Sequence, residues 1–320
     1  MYPAVYSYEK VRGVSTKILR FEANLRPETD GIWREFPIVI MIPGNPGEIQ
    51  YYEEFLRQVY GHFEEQVEVV GVSHTGHHAP PSSPRPVGQS SEGQHSQEFP
   101  SIDEHSELYD LQAQILHKIE FIKRFIGFER EVILIGHSIG AYVAMQVIKR
   151  EPRLKCEKAI LLFPVIERLI STDRAQELMK TVQRWYSPFL FLCNLMHFTP
   201  LPVKRWLATW FCGQAHLGEA TASFLCKQAM YSSWFLAKDE LNKVDKRDDA
   251  FLKRSWRLLS FYYGNRDGWC PIEYFKDMHR DYPQADITLC NENIDHAFVM
   301  DERSTRLMAK YTAEKCKGVL

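Results

Sequence analysis

The sequence has no excess of charge of either sign, no cysteine pairs and no long unbroken apolar run. Its 39 Lys and Arg face 41 Asp and Glu, for a formal net charge of −2. A chain this close to neutral lacks the basic surface that grips a phosphate backbone, so no nucleic-acid partner is expected. Seven cysteines (Cys156, Cys193, Cys212, Cys226, Cys270, Cys290 and Cys316) are scattered without a C-x-x-C pair. An odd, irregular set argues against a disulfide framework and holds no zinc-ligand spacing. Residues 1–13 lack the apolar core of a secretory signal. No stretch of about 18 residues is both uniformly apolar and unbroken, so no simple membrane span is expected. Neither a P-loop nor G-x-G-x-x-G is present, and no cofactor is expected. Together these absences point to a reduced, cytosol-facing protein.

What remains is ample material for a core, since 45% of the 320 residues are hydrophobic. Residues 36–42, FPIVIMI, form a continuous apolar run of the kind buried on both faces of a parallel sheet. The run stops at Pro43-Gly44-Asn45-Pro46-Gly47, a cluster of turn formers. A helical stretch from Tyr51 and a strand over 67–72 then begin a βαβ series. Residues 79–106, rich in Pro, Ser, Gln and His, read as a mobile surface loop. Leu108, Leu111, Ile115, Leu116, Ile119 and Ile122 mark one face of the next helix. Strands over 132–135 and 159–163 follow, with a helix over 141–149 between them. From 165 to 254 the alternation gives way to helical pattern, and strands return at 257–263 and 287–290 before a terminal helix. The plan is one α/β domain over 1–320, with a core of about 30–164 and 255–320 and a helical insertion over 165–254.

The chemistry centres on Gly136-His137-Ser138-Ile139-Gly140, a G-x-S-x-G sequence between a strand and a helix rich in small residues. That setting is the one a nucleophile elbow requires: flanking side chains would collide in so tight a turn, hence glycine on either side. The bland alternative is a serine that caps an ordinary helix. A nucleophilic serine needs a base, and the base needs an acid to orient it; on this architecture they follow in the order Ser, acid, His. Asp267 and His296 each follow a predicted strand, where open α/β sheets place their ligands. His296 would take the proton of Ser138, and Asp267 would hold the imidazole tautomer. Asp295 adjoins His296 and would diverge from it, while Asp286 and Asp301 read as solvated surface charges.

Acyl transfer also needs backbone donors for an oxyanion. Ile139 supplies one. The P-G-N-P-G loop supplies the other, and because Pro43 and Pro46 have no N–H, Asn45, or else Gly44, is left to donate. His74, His77 and His78 invite a metal reading, but no carboxylate or cysteine joins them at suitable spacing. They read as solvated loop histidines or as the rim of a substrate site, and no metal is expected. In residues 185–212, WYSPFLFLCNLMHFTPLPVKRWLATWFC, the only Lys or Arg are Lys204 and Arg205. Pro188, Pro200 and Pro202 are expected to break it into pieces too short to span a bilayer. It suits a cap over the active site, an interfacial hairpin with an aromatic and basic fringe, or both.

Taken together, these motifs resemble the lipid droplet-associated hydrolase family of serine hydrolases. The matching pieces are I-P-G-N-P-G at 42–47, S-H-x-G-H at 73–77, I-G-H-S-I-G at 135–140 and L-F-P-x-I-E-R at 162–168. K-R-D-D at 246–249, F-Y-Y-G-x-x-D-x-W-C-P at 261–271 and I-x-H-A-F at 294–298 complete the set. The resemblance implies an α/β-hydrolase fold with a helical cap and Ser138, Asp267 and His296 as the triad. It further implies residence on the cytosolic face of the endoplasmic reticulum and on lipid droplets. The substrate would be a sterol ester or another neutral-lipid ester, and 185–212 the lipid-surface contact. The rival expectation is a droplet coat or remodelling protein that retains a hydrolase core with little activity. A third is a soluble thioesterase or small-ester hydrolase whose apolar insert merely caps the site.

Overall fold

The computed structural model describes residues 2–24, 36–80 and 99–320. The described chain opens with a hairpin, β1 (Val5–Val11) and β2 (Val14–Phe21). Strand and helix then alternate: β3 (Ile38–Ile42), α1 (Glu53–His62), β4 (Val69–Val72), α2 (Leu111–Phe125), β5 (Val132–His137), α3 (Ile139–Arg150) and β6 (Cys156–Leu162). Five helices follow without a strand: α4 (Asp173–Phe198), α5 (Leu201–Cys212), α6 (Ala215–Phe224), α7 (Lys227–Lys243) and α8 (Asp249–Ser255). The chain closes with β7 (Leu259–Tyr263), α9 (Ile272–Asp281), β8 (Asp286–Leu289) and α10 (Glu302–Cys316).

Among the described residues, eight strands join one sheet in the order β1-β2-β4-β3-β5-β6-β7-β8. Every pairing from β4 to β8 is parallel, and β1–β2 and β2–β4 are antiparallel. Residues of β3, β4, β5 and β7 are buried throughout, as expected of strands covered by helices on both faces. Because β4 and β5 flank β3 on opposite sides, the connections diverge there. The carboxyl ends of β3 and β5 therefore open a crevice at the switch point.

Three sequence expectations are corrected. The sheet begins well before the expected boundary at residue 30; the N-terminal hairpin was missed because polar and apolar residues mingle in its half-exposed outer strand. Pro188 does not break its segment, and α4 runs through it to Phe198. Proline removes one helical hydrogen bond, but on this exposed face water can reach the freed carbonyl. The break falls at Thr199 and Pro200, both extended, with Pro202 in the first turn of α5. Of the expected 79–106 loop, 81–98 lie outside the described residues. Beyond them, Ile102 and Tyr109 are buried with Phe99 packed against them, so this end is tied down.

Helices α4 and α5 carry Phe191, Phe198, Trp206 and Trp210, each 67–81% exposed. No helix among the described residues is long and apolar enough to cross a membrane.

Candidate active site

Ser138 stands between β5 and α3 with φ 55° and ψ −125°, a conformation rare for a residue with a side chain. The turn closes only because its neighbours lack side chains. A Cβ on Gly140 would lie 2.3 Å from the Ile42 carbonyl oxygen, and one on Gly136 2.6 Å from the Gly140 oxygen. The side chain is thereby held at the carboxyl end of the sheet and the amino end of α3.

His296, beyond β8, brings Nε2 to 2.8 Å from Ser138 Oγ and Nδ1 to 2.6 Å from Asp267 Oδ2. The sequence-predicted serine, acid and histidine thus form one hydrogen-bonded relay. Asp267 is itself held: Oδ1 accepts from the Trp269 and Cys270 amides at 2.8 and 3.3 Å, and Oδ2 accepts from the Cys270 thiol at 2.8 Å. Burial alone would raise its carboxyl, but His296, the Cys270 thiol and the Trp269 N–H outweigh that and hold it below the usual carboxylate range. The other acids are occupied elsewhere. Asp301 caps α10 through the Ser304 amide, and Asp286, expected as a solvated charge, is instead bound by Ser260 and Lys315.

Asp267, Cys270 and His296 bring one potential metal-ligand atom each within 4.8 Å of one another. Burial and the adjacent Asp267 carboxylate drive the Cys270 thiol well up, so in this metal-free arrangement it is a protonated donor. The three atoms are hydrogen-bonded to one another through Asp267 Oδ2.

A second relay, which the sequence analysis missed, lies beneath the first. Gly44 N–H donates to Tyr52 Oη at 2.9 Å, Tyr52 Oη bonds His137 Nδ1 at 2.6 Å, and His137 Nε2 meets the His296 carbonyl oxygen at 2.8 Å. A carbonyl can only accept, so Nε2 carries the proton and Nδ1 accepts from the tyrosine. Burial, with His296 adding to it, pushes the His137 imidazole down to about 3, so it stays neutral. The chain ties the 43–47 loop to the backbone of His296. The Gly44 amide, the alternative loop donor, is thereby engaged by Tyr52. Asn45 N–H makes no hydrogen bond among the described residues. Ile139 N–H, at the first position of α3, has no preceding carbonyl of its own helix to bond. A signal for this relay was present in His137 within the elbow and Tyr52 shortly after the loop, but nothing local shows that they meet.

His74, His77 and His78 are neither solvated nor at a rim; all three are fully buried. Gly47 N–H donates to His77 Nδ1 at 2.9 Å, and Lys17 N–H donates to His78 Nε2 at 3.0 Å. Burial pushes the His77 imidazole down to about 3. His77 and His78 are thus neutral rings that accept from backbone amides of the 43–47 loop and of β2, a structural use of histidine.

Above the relay is a cavity of about 530 Å³. Ser138, His296, Asn45 and Trp269 form its floor, and Leu178 and Phe189 of α4 with Met230 and Trp234 of α7 form its apolar roof. Phe189 and Trp234 stack at 4.4 Å between ring centroids.

This geometry has relatives. The family model described as lipid-droplet associated hydrolase matches residues 35–299. The chain belongs to the lipid droplet-associated hydrolase family. Lipid droplet-associated hydrolases of Mus musculus and Homo sapiens are 31% and 33% identical to it over 302 and 266 residues. These matches cover 90% and 82% of this chain and 88% and 79% of the relatives. That of Drosophila melanogaster is 33% identical over 278 residues, covering 83% and 85%. Among solved structures, this family member matches a serine hydrolase of Cycloclasticus zankles with a TM-score of 0.61 at 14% identity, covering 99% of each chain. An epoxide hydrolase of Vigna radiata matches with a TM-score of 0.60 at 12% identity, again covering 99% of each. At those identities the likeness establishes the α/β-hydrolase fold and not the reaction.

Proposed function

We propose that this chain is a serine hydrolase of lipid carboxylic esters, sterol or other neutral-lipid esters, acting through an acyl-enzyme on Ser138. The observation that carries the reading is the Ser138–His296–Asp267 relay on the floor of an apolar cavity. His296 Nε2 takes the Ser138 proton as Oγ attacks the ester carbonyl carbon. The resulting oxyanion is held by the Asn45 and Ile139 amides. Collapse breaks the bond to the alkoxy oxygen, which leaves as the alcohol with the proton from His296. Water, deprotonated by the same nitrogen, then attacks the acyl-enzyme and releases the carboxylic acid and Ser138. Asp267 stays ionised throughout and stabilises the imidazolium.

The proposed place of work is the surface of a lipid droplet or the cytosolic face of the endoplasmic reticulum. Among the described residues, ten of the fourteen exposed large apolar side chains lie from Trp185 to Trp210 on α4 and α5. A patch so concentrated suits contact with lipid better than with water, and the relatives are named for lipid droplets. That same patch favours the second reading, a droplet-bound remodelling protein with little turnover, because its lipid contact is independent of Ser138.

A chain-length series of esters that includes a cholesteryl ester, with wild type and Ser138→Ala side by side, separates the readings. Serine-dependent release favouring long or sterol esters supports the lipid hydrolase. Release favouring short esters retains the triad and moves the substrate to small molecules. Equal behaviour of the two proteins on every ester, with droplet binding retained in both, supports the remodelling role.

A further inference from the structure

Asn45 is expected to lend only its backbone N–H to the oxyanion, yet its side chain is the most heavily engaged in the 43–47 loop. Nδ2 donates to the Ser233 carbonyl at 3.0 Å and to Glu240 Oε1 at 3.2 Å, and Oδ1 accepts from Ser233 Oγ. All three partners come from α7, which is nearly two hundred residues away in sequence and also lines the roof of the cavity.

We propose that α7 sets the oxyanion hole, with Ser233 and Glu240 as positioning residues that grip the Asn45 side chain and so aim its N–H at the reacting carbonyl. The proposal deepens the serine-hydrolase reading and rests on it. An oxyanion donor counts only when it points to where charge develops. The 43–47 loop is anchored on the core side by Gly44 on Tyr52 and by Gly47 on His77. Neither bond fixes the Asn45 peptide itself; the α7 grip does.

The chemistry of Glu240 suits the role. Burial pushes its carboxyl up to about 8, with Asp239 adding to the rise against the Asn45 hydrogen bond, so it is an uncharged acid at neutral pH. An uncharged carboxyl offers Asn45 a carbonyl-like acceptor without placing a full negative charge beside a developing oxyanion. Glutamine offers the same acceptor at the same reach, and leucine fills the space without one.

The test uses the full chain and the ester of the length series that is turned over fastest, with active sites titrated by a fluorophosphonate. The variants are Ser233→Ala, Glu240→Leu, the two combined, and Glu240→Gln. For the combined variant, kcat per titrated site is expected to fall about 30- to 100-fold with KM within about twofold. Affinity for an alkyl trifluoromethyl ketone, which forms an oxyanion on the serine, is expected to weaken in parallel. Glu240→Gln is expected to restore kcat to within about threefold of wild type. If the leucine variants do not fold, Ser233→Ala decides alone, with a five- to tenfold loss in kcat expected. Three outcomes overturn the proposal while the hydrolase reading stands: variants whose kcat stays within about twofold of wild type, a loss confined to KM, or a glutamine variant as impaired as leucine. A wild type with neither Ser138-dependent turnover nor labelling overturns both.

Discussion

The floor of the candidate active site and the exposed sides of α4 and α5 are built on opposite principles. At the floor, Ser138, His296, Asp267, Cys270, His137 and Tyr52 each have a hydrogen-bond partner, in a setting that is mostly buried. Helices α4 and α5 expose large aromatics, Phe198 at 81% and Trp210 at 76% among them. Directional bonding in a dry setting holds atoms to fractions of an ångström, which catalysis needs. An apolar face has no such precision and needs only area to adhere to lipid. On the proposed reading, one molecule separates where it acts from how it acts.

Four measurements would break or sharpen that contrast. The largest effect is expected from Ser138→Ala, which should lower turnover by at least about 10⁴-fold and abolish fluorophosphonate labelling while droplet flotation is unchanged. Coupled loss of flotation would break the contrast. Next, replacing Trp206 and Trp210 together by Gln should lower partition onto droplets by at least about a hundredfold, since each indole buried in lipid contributes about 1.5–3 kcal/mol. Turnover of a water-soluble ester should fall by less than about twofold.

A smaller effect is expected from Cys270→Ala, which removes one donor to Asp267 Oδ2. A lost hydrogen bond to a charged group is worth about 1.5–3 kcal/mol, but two backbone amides still hold the other oxygen. Activity should therefore drop by about five- to twentyfold, measured as kcat/KM at neutral pH. The smallest effect concerns stability. Glu240 binds its proton up to about pH 8 in the folded chain, against 4.5 for an ordinary glutamate. Between those values the unfolded chain is ionised and the native chain is not, so the contribution of Glu240 to stability falls as pH rises. Glutamine does not titrate, and the Tm of Glu240→Gln should rise by a few degrees relative to that of wild type between pH 5 and 8. A Tm difference that does not change over that range would show that Glu240 keeps no raised pKa.

Elements with local causes were legible in the sequence. The G-x-S-x-G turn is defined by sterics over five residues, and β3 and β5 announce themselves as unbroken apolar runs. Asp267 and His296 were found because each follows such a run in the required order. Less legible was the N-terminal hairpin, whose outer strand is half-exposed and lacks clean alternation. Pro188 misled because the cost of a helical proline depends on whether solvent reaches the freed carbonyl, which composition does not reveal.

The chain order and residue types of the Ser138–His296–Asp267 relay were determined by sequence alone, because each member sits at a strand end that its own neighbours specify. Only the tertiary structure decided the setting around the relay. It buried His74, His77 and His78, took the Gly44 amide for Tyr52, and brought Ser233 and Glu240 onto Asn45. The physical reason is the range of the forces involved. Turn sterics and apolar runs act over a few residues, whereas burial and hydrogen-bond partnership depend on which distant segment packs alongside.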